Sequence, residues 1–156
     1  MKIVLSRIDE RLIHGQVMTS WVKRFYITKI ILVDDNIAKD DFTREVLTLA
    51  APNGVNVLVL SVEETLNLIK ADTDDEKTML LFKSMSYVLE LIKRGYKMDR
   101  LNIGNIGSAP SRNSVTNQVY MSQAERDMAK ELCSKGVYVY IQKMPTDSEL
   151  DILKKI

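Results

Sequence analysis

The chain has 156 residues, of which 46% are hydrophobic and 28% charged, and its 22 basic and 21 acidic side chains leave a net charge of +1. That length suits one domain burying roughly 70% of the surface exposed by its unfolded form, and the composition excludes fibrous, collagen-like and largely disordered chains. The balanced charge sets up no global field toward nucleic acid or an anionic membrane, while a single cysteine, Cys133, and a single histidine, His14, exclude an internal disulfide and a usual structural zinc site.

In chain order, an apolar run at 3–5 reads as a strand, and Met18, Trp21, Val22 and Phe25 then repeat at the spacing of one helical face. A β-branched run at 30–33 predicts a second strand, followed by a helical stripe of Phe42, Val46, Leu49 and Ala50. The third strand is expected over 55–60. Ser61 and Glu64 then have capping-box spacing ahead of a stripe through Val62, Leu66 and Ile69. Residues 79–82 predict a fourth strand, and Met85, Val88, Leu89 and Ile92 a helix that Gly95 should stop. Further strands are expected at 101–103 and 137–141, with a weaker candidate at 115–120. Ser122 and Glu125 form a second capping-box pair before a helix ending near Gly136.

This alternation predicts a doubly wound α/β fold, with a mainly parallel sheet of about six to seven strands, helices on both faces and right-handed crossovers. No repeat, low-complexity tract or linker divides the chain, so 1–156 reads as a single domain. The single cysteine fits a reducing cytoplasm, where the protein is expected, and since no run reaches the ~18 apolar residues of a membrane span, it is expected to meet any membrane through a partner. In such sheets ligands bind beyond the carboxyl ends of the strands. The relevant loops are 9–14, 34–37, the stretch around Lys83 and Ser84, and the long segment GNIGSAPSRNS at 104–114.

The stretch RIDERLIHGQV, residues 7–17, sets His14 between the first strand and the first helix. The first turn of a helix offers free N–H groups and a favourable dipole to an anion. Arg7 and Arg11 carry guanidinium groups suited to phosphate, and Gly15 lets a phosphate approach the backbone. A neutral imidazole is a competent nucleophile near neutral pH, so the group suits a transiently phosphorylated histidine. The competing reading is an exposed turn in which Arg7 and Arg11 pair with Asp9 and Glu10, worth at most ~1 kcal/mol. Residues alone leave both open.

RIDERLIHGQV with its following tryptophan resembles the R-x-D-x-R-L-x-H-G-Q-V signature of the IIB subunits of the mannose/fructose/sorbose family of sugar phosphotransferase systems. The resemblance extends to IILVDDNIAKDDF, LLFKSMSYVLELIKRG, LNIGNIG and GVYVYIQKMPTD, and so covers essentially the whole chain; Asn105 departs from it, standing where the family more often has a second glycine. It implies that His14 accepts a phosphoryl group on Nδ1 from a phosphohistidine of a cognate IIA protein or domain. The group then passes to a sugar held by the membrane subunits IIC and IID, with which the protein associates peripherally. Arg7 and Arg11 match the family's flanking arginines and are assigned to phosphate charge; Asp9 orients Arg11 or the imidazole, and Gln16 presents its backbone N–H. No metal or cofactor is called for, and a homo-oligomer through a sheet edge or helix face is compatible with the pattern.

Lys83 and Ser84 are further candidates for phosphate contact, against the plainer roles of solvated charge and helix N-cap. Asp34 and Asp35 resemble the acidic pair of a two-component receiver, which supplies the alternative of a non-enzymatic regulatory or binding module. The third strand ends in Ser61 rather than an aspartate, which favours helix capping for the pair. Gly104 and Gly107 fall short of a dinucleotide fingerprint.

Overall fold

The computed structural model describes residues 1–156. The chain runs β1 (Lys2–Asp9), α1 (Gly15–Phe25), β2 (Lys29–Val33), α2 (Asp35–Ala38), α3 (Asp41–Leu49), β3 (Asn56–Leu60), α4 (Val62–Ala71) and β4 (Lys77–Phe82). It continues with α5 (Met85–Lys93), β5 (Arg100–Asn105), β6 (Asn113–Thr116), β7 (Val119–Met121), α6 (Gln123–Ser134), β8 (Tyr138–Ile141) and β9 (Leu150–Asp151), closed by a 3₁₀ turn at Ile152–Lys154. Seven strands form one sheet in the order β3-β2-β4-β1-β5-β8-β9. All neighbours are parallel except the short β8–β9 pair. No helix is long and apolar enough to cross a membrane.

Alternation along each strand divides the core in two. Ile30 and Leu32 of β2 join Met18 and Trp21 of α1 on one face. Ile31 and Val33 face the other way, into the layer of Val62 from α4, Val88 from α5 and Leu132 from α6. Each fully buried aliphatic side chain contributes about 1.5–3 kcal/mol relative to exposure. Both expected capping boxes form: Ser61 Oγ accepts from Glu64 N–H (3.1 Å) and Glu64 Oε1 from Ser61 N–H (3.0 Å), with the same exchange between Ser122 and Glu125.

Three expectations change. The stripe on α3 faces water, with Phe42 76% and Leu49 79% exposed, because α3 lies beside the edge strand β3 and only Thr43 and Leu47 turn partly inward. The weak strand at 115–120 is a hairpin of β6 and β7, broken by a turn at Asn117 and Gln118. The first strand extends well past residue 5. It reaches Asp9 because Ile8 is level with Phe82 of β4 on one side and Ile103 of β5 on the other, so ladder pairing continues through the charged residues.

This extension positions the site. Beyond Asp9 the chain turns into α1 on one face, whereas neighbouring β4 leads into α5 on the opposite face. The diverging connections open a crevice at the carboxyl end of β1.

Candidate phosphoryl-transfer site

The crevice is organised around Asp9, whose carboxylate is fully buried. Its Oδ2 accepts from Arg7 Nη2 (3.0 Å), Arg11 Nη2 (3.1 Å) and His14 Nε2 (3.2 Å), and its Oδ1 accepts from the Arg11 backbone N–H (3.0 Å) and Arg11 Nε (3.1 Å). Burial on its own pushes the Asp9 carboxyl up; the hydrogen bonds from Arg11, the charge of Arg7 and the contact with His14 outweigh it and hold the group below its ordinary value. Asp9 is therefore an anion that can only accept hydrogen bonds. The His14 contact then requires the proton on Nε2, which leaves the lone pair of a neutral ring on Nδ1.

His14 is the N-cap residue of α1, with extended backbone (φ −150°, ψ 135°) and no side-chain capping bond. Its side chain is 23% exposed, enough to be reached from solvent while one edge stays bound to Asp9. Nδ1 has no hydrogen-bond partner in the protein. The first intrahelical bond runs from Met18 N–H to His14 O (3.3 Å), so the amides of Gly15, Gln16 and Val17 are the unpaired donors of the first turn. Gly15 has φ +31°, and no atom lies within 4 Å of where its Cβ would be, so the approach to the helix end is open.

The two arginines have different surroundings. Arg11 is 37% exposed at its side chain; Nε and Nη2 hold Asp9, and Nη1 has no protein partner. Arg7, expected at the phosphate, is instead fully buried. It lies on the α1 side of β1, its guanidinium 5.1 Å from the centre of the Trp21 ring. Nη1 donates to Asn102 Oδ1 and to Gln142 O (3.1 Å), and Nη2 to Asp9 and to Lys143 O (3.3 Å), while Nε is buried without a partner. Burial lowers its pKa, and Asp9 offsets this only in part. With its Nη groups occupied and no exposed surface, Arg7 supports the carboxylate from beneath. Together two guanidiniums face one carboxylate, an excess of positive charge suited to an incoming phosphoryl group.

The exposed salt-bridged turn is not what forms. Both arginines pair with Asp9, and Glu10 turns to Arg112 (2.9 Å) and to the backbone N–H of Gly107 (2.7 Å), so segment 104–114 forms one rim of the crevice. Gln16 is exposed on the first turn of α1. Lys83 and Ser84 follow Phe82 and so emerge at the same sheet edge; Lys83 is exposed, and Ser84 caps α5, accepting from Ser86 N–H (3.3 Å). Asp34 caps α2 through Asn36 and Ile37 N–H, and Asp35 accepts from Val62 N–H (2.8 Å), so helix ends take up the acidic pair. No group of three His, Cys, Asp or Glu side chains is placed to hold a metal ion.

Sequence reasoning missed Asn102, Gly104, Trp21 as a cradle for Arg7, and Arg112. The available signal was Asn102 itself, a polar residue inside an otherwise apolar buried strand, where a polar side chain needs a partner.

Residues 3–156 match the family model described as PTS system sorbose subfamily IIB component. The chain is 34% identical to the PTS system sorbose-specific EIIB component of Klebsiella pneumoniae, over all of this chain and 96% of that protein. It is likewise 34% identical to the mannose-specific EIIAB component of Escherichia coli K12, covering all of this chain but spanning only about half of that relative (50%). The crystal structure of the IIBSor domain of the K. pneumoniae sorbose permease superposes with a TM-score of 0.92 at 33% identity, covering 99% of this chain and 96% of that one.

Proposed function

The chain belongs to the sorbose subfamily of phosphotransferase-system (PTS) IIB components, which are sugar phosphoryl-transfer domains, and from that premise we propose that His14 is its phosphoryl carrier. The observation that carries this reading is the His14 Nε2 contact with Asp9 at 3.2 Å, which leaves Nδ1 without a protein partner on a side chain that is 23% exposed. In the first step the Nδ1 lone pair attacks the phosphorus of a phosphohistidine on a IIA partner. The new N–P bond forms as the donor's breaks, and that electron pair returns to the donor imidazole. In the second step a sugar hydroxyl attacks the phosphorus, the pair returns to Nδ1, and the hydroxyl proton passes to water.

Arg11, through its free Nη1, and the first-turn amides of Gly15 and Gln16 receive the phosphoryl oxygens; Lys83 and Ser84 stand at the same edge as further contacts. Catalysis by such a group is chiefly positioning and charge stabilisation. Asp9 fixes the ring and its tautomer, and Arg11 together with Arg7 keeps Asp9 ionised. The activity is that of a protein-Nπ-phosphohistidine–sugar phosphotransferase, exercised by residues 1–156 as one IIB domain. Its donor is a IIA protein or domain, its acceptor sugar is presented by IIC and IID, and it works in the cytoplasm against those membrane subunits.

The test is incubation with phosphoenolpyruvate, the two general phosphotransferase proteins and a cognate IIA. An acid-labile phosphate on His14, absent from His14→Ala and bound to Nδ1 by ³¹P and ¹⁵N NMR, is the expected result. An acid-labile phosphate on Nε2, or label on Asp34 or Asp35 instead, would overturn it.

A further inference from the structure

The rim of the crevice carries a cluster that the phosphoryl-transfer reading does not use. Arg112, just ahead of β6, joins three parts of the fold through one guanidinium. It donates from Nη1 to Glu10 Oε1 (3.1 Å) and to Gly107 O (2.9 Å), and from Nε and Nη2 to the two oxygens of Glu125 (2.9 Å each). Glu10 Oε1 also accepts from Gly107 N–H at 2.7 Å, and Glu10's own N–H donates to Asn105 O at 3.1 Å. Glu125 is the reciprocal capping residue of α6, so the far end of the cluster is anchored on a helix terminus.

Glu10 directly follows Asp9, and the segment after it is not relaxed. Leu12 has φ 61°, a left-handed conformation that a branched, bulky side chain adopts only when its surroundings impose it. Leu12 N–H donates to Asp9 O (3.0 Å), which ties that turn to the residue holding the imidazole. Arg112 is also the one cation between two carboxylates, Glu10 and Glu125. Without it they face each other as like charges, and the repulsion acts on the chain next to Asp9.

We propose that Arg112 is a positioning residue for phosphoryl transfer, clamping Glu10 so that Asp9 and His14 keep the geometry that leaves Nδ1 free. This rests on His14 being the carrier. Arg112 touches neither the imidazole nor the phosphate site and acts through Glu10 and the turn at 10–14. Lysine in its place reaches one carboxylate at a time and restores only part of the effect.

The test compares the protein with Arg112→Ala and Arg112→Lys in transfer from a phosphorylated IIA, alongside ¹⁵N NMR of the His14 ring and thermal unfolding. In the alanine variant kcat is expected to fall about tenfold with KM changed by less than about twofold. The ring signals should move from the Nε2–H form toward a mixture of tautomers, with Arg112→Lys intermediate. If Arg112→Ala does not fold, Glu10→Ala takes its place, since it removes the clamped side chain while leaving the Arg112–Glu125 pair intact, and the same fall in kcat is expected. Unchanged kcat and tautomer, a rise in KM alone, or a loss no larger than the unfolded fraction each overturn the clamp. Failure of the unsubstituted protein to label on His14 sinks the parent reading instead; a labelled His14 with indifferent Arg112 variants sinks the clamp alone.

Discussion

Gly104 and Arg7 share one space: a Cβ built on Gly104 would stand 2.0 Å from Arg7 Nη2 and 2.2 Å from Arg7 Cζ. The guanidinium has nowhere to retreat, since both Nη atoms are hydrogen-bonded and the Trp21 ring lies alongside. Gly104→Ala should therefore lower stability by about 1–3 kcal/mol, as overpacking does, and slow phosphorylation of His14 by displacing the support beneath Asp9. Urea unfolding and a labelling time course check both. A variant as stable and as fast as the parent would mean that Arg7 has room to move.

Asp9→Asn removes the charge that two guanidiniums and an imidazole share. Arg7 is left buried and uncompensated, and losing one partner of such a pair costs about 3–5 kcal/mol. The neutral amide also ceases to require the proton on Nε2, so phosphoryl acceptance should fall by about 100-fold or more. The observable is the unfolding free energy alongside the rate of acid-labile phosphate formation; a stable variant with normal rates would remove Asp9 from both roles.

The lowered pKa of Asp9 makes a pH signature with a definite sign. A carboxylate whose folded pKa lies below its unfolded value of ~3.9 contributes its full stabilisation above that value and loses it as pH falls through the lower folded one. The unfolding free energy of the parent should thus decline more steeply than that of Asp9→Asn on acidification below about pH 4, measured as denaturant midpoints across an acid series. Parallel slopes would show that Asp9 is not held ionised by its neighbours.

Arg7 and Arg11 should separate when each is changed to methionine. Arg11→Met removes a side chain that is 37% exposed but gives two hydrogen bonds to buried Asp9, so it should cost about 1.5–3 kcal/mol of stability, while transfer falls by roughly 10- to 100-fold through loss of a donor to the phosphoryl oxygens. Arg7→Met should unsettle the fold by several kcal/mol, on the order of 3–5, because Asp9 loses its buried partner. The reverse ordering in paired melting and labelling assays would exchange the roles of the two arginines.

The sequence by itself determined the alternation of strands and helices, the capping boxes at Ser61 and Ser122, and the prominence of His14 at the head of α1. These are local properties: side-chain period, cap chemistry and a short motif are written over a few consecutive residues. The tertiary structure decided what each charge near His14 does. Residues 7–11 alone show two arginines, an aspartate and a glutamate with several pairings open. Burial of Arg7 depends on Asn102, on the carbonyls of Gln142 and Lys143, and on the missing side chain at Gly104, all roughly 100 residues or more away in the chain. The turn of Glu10 toward Arg112 likewise needs the rim at 104–114 to fold back over β1. The outward-facing stripe on α3 has the same origin, since a helical period shows that one face is apolar but not whether the sheet extends beneath it. Such pairings are settled by which strands lie side by side, and strand order is a property of the whole chain.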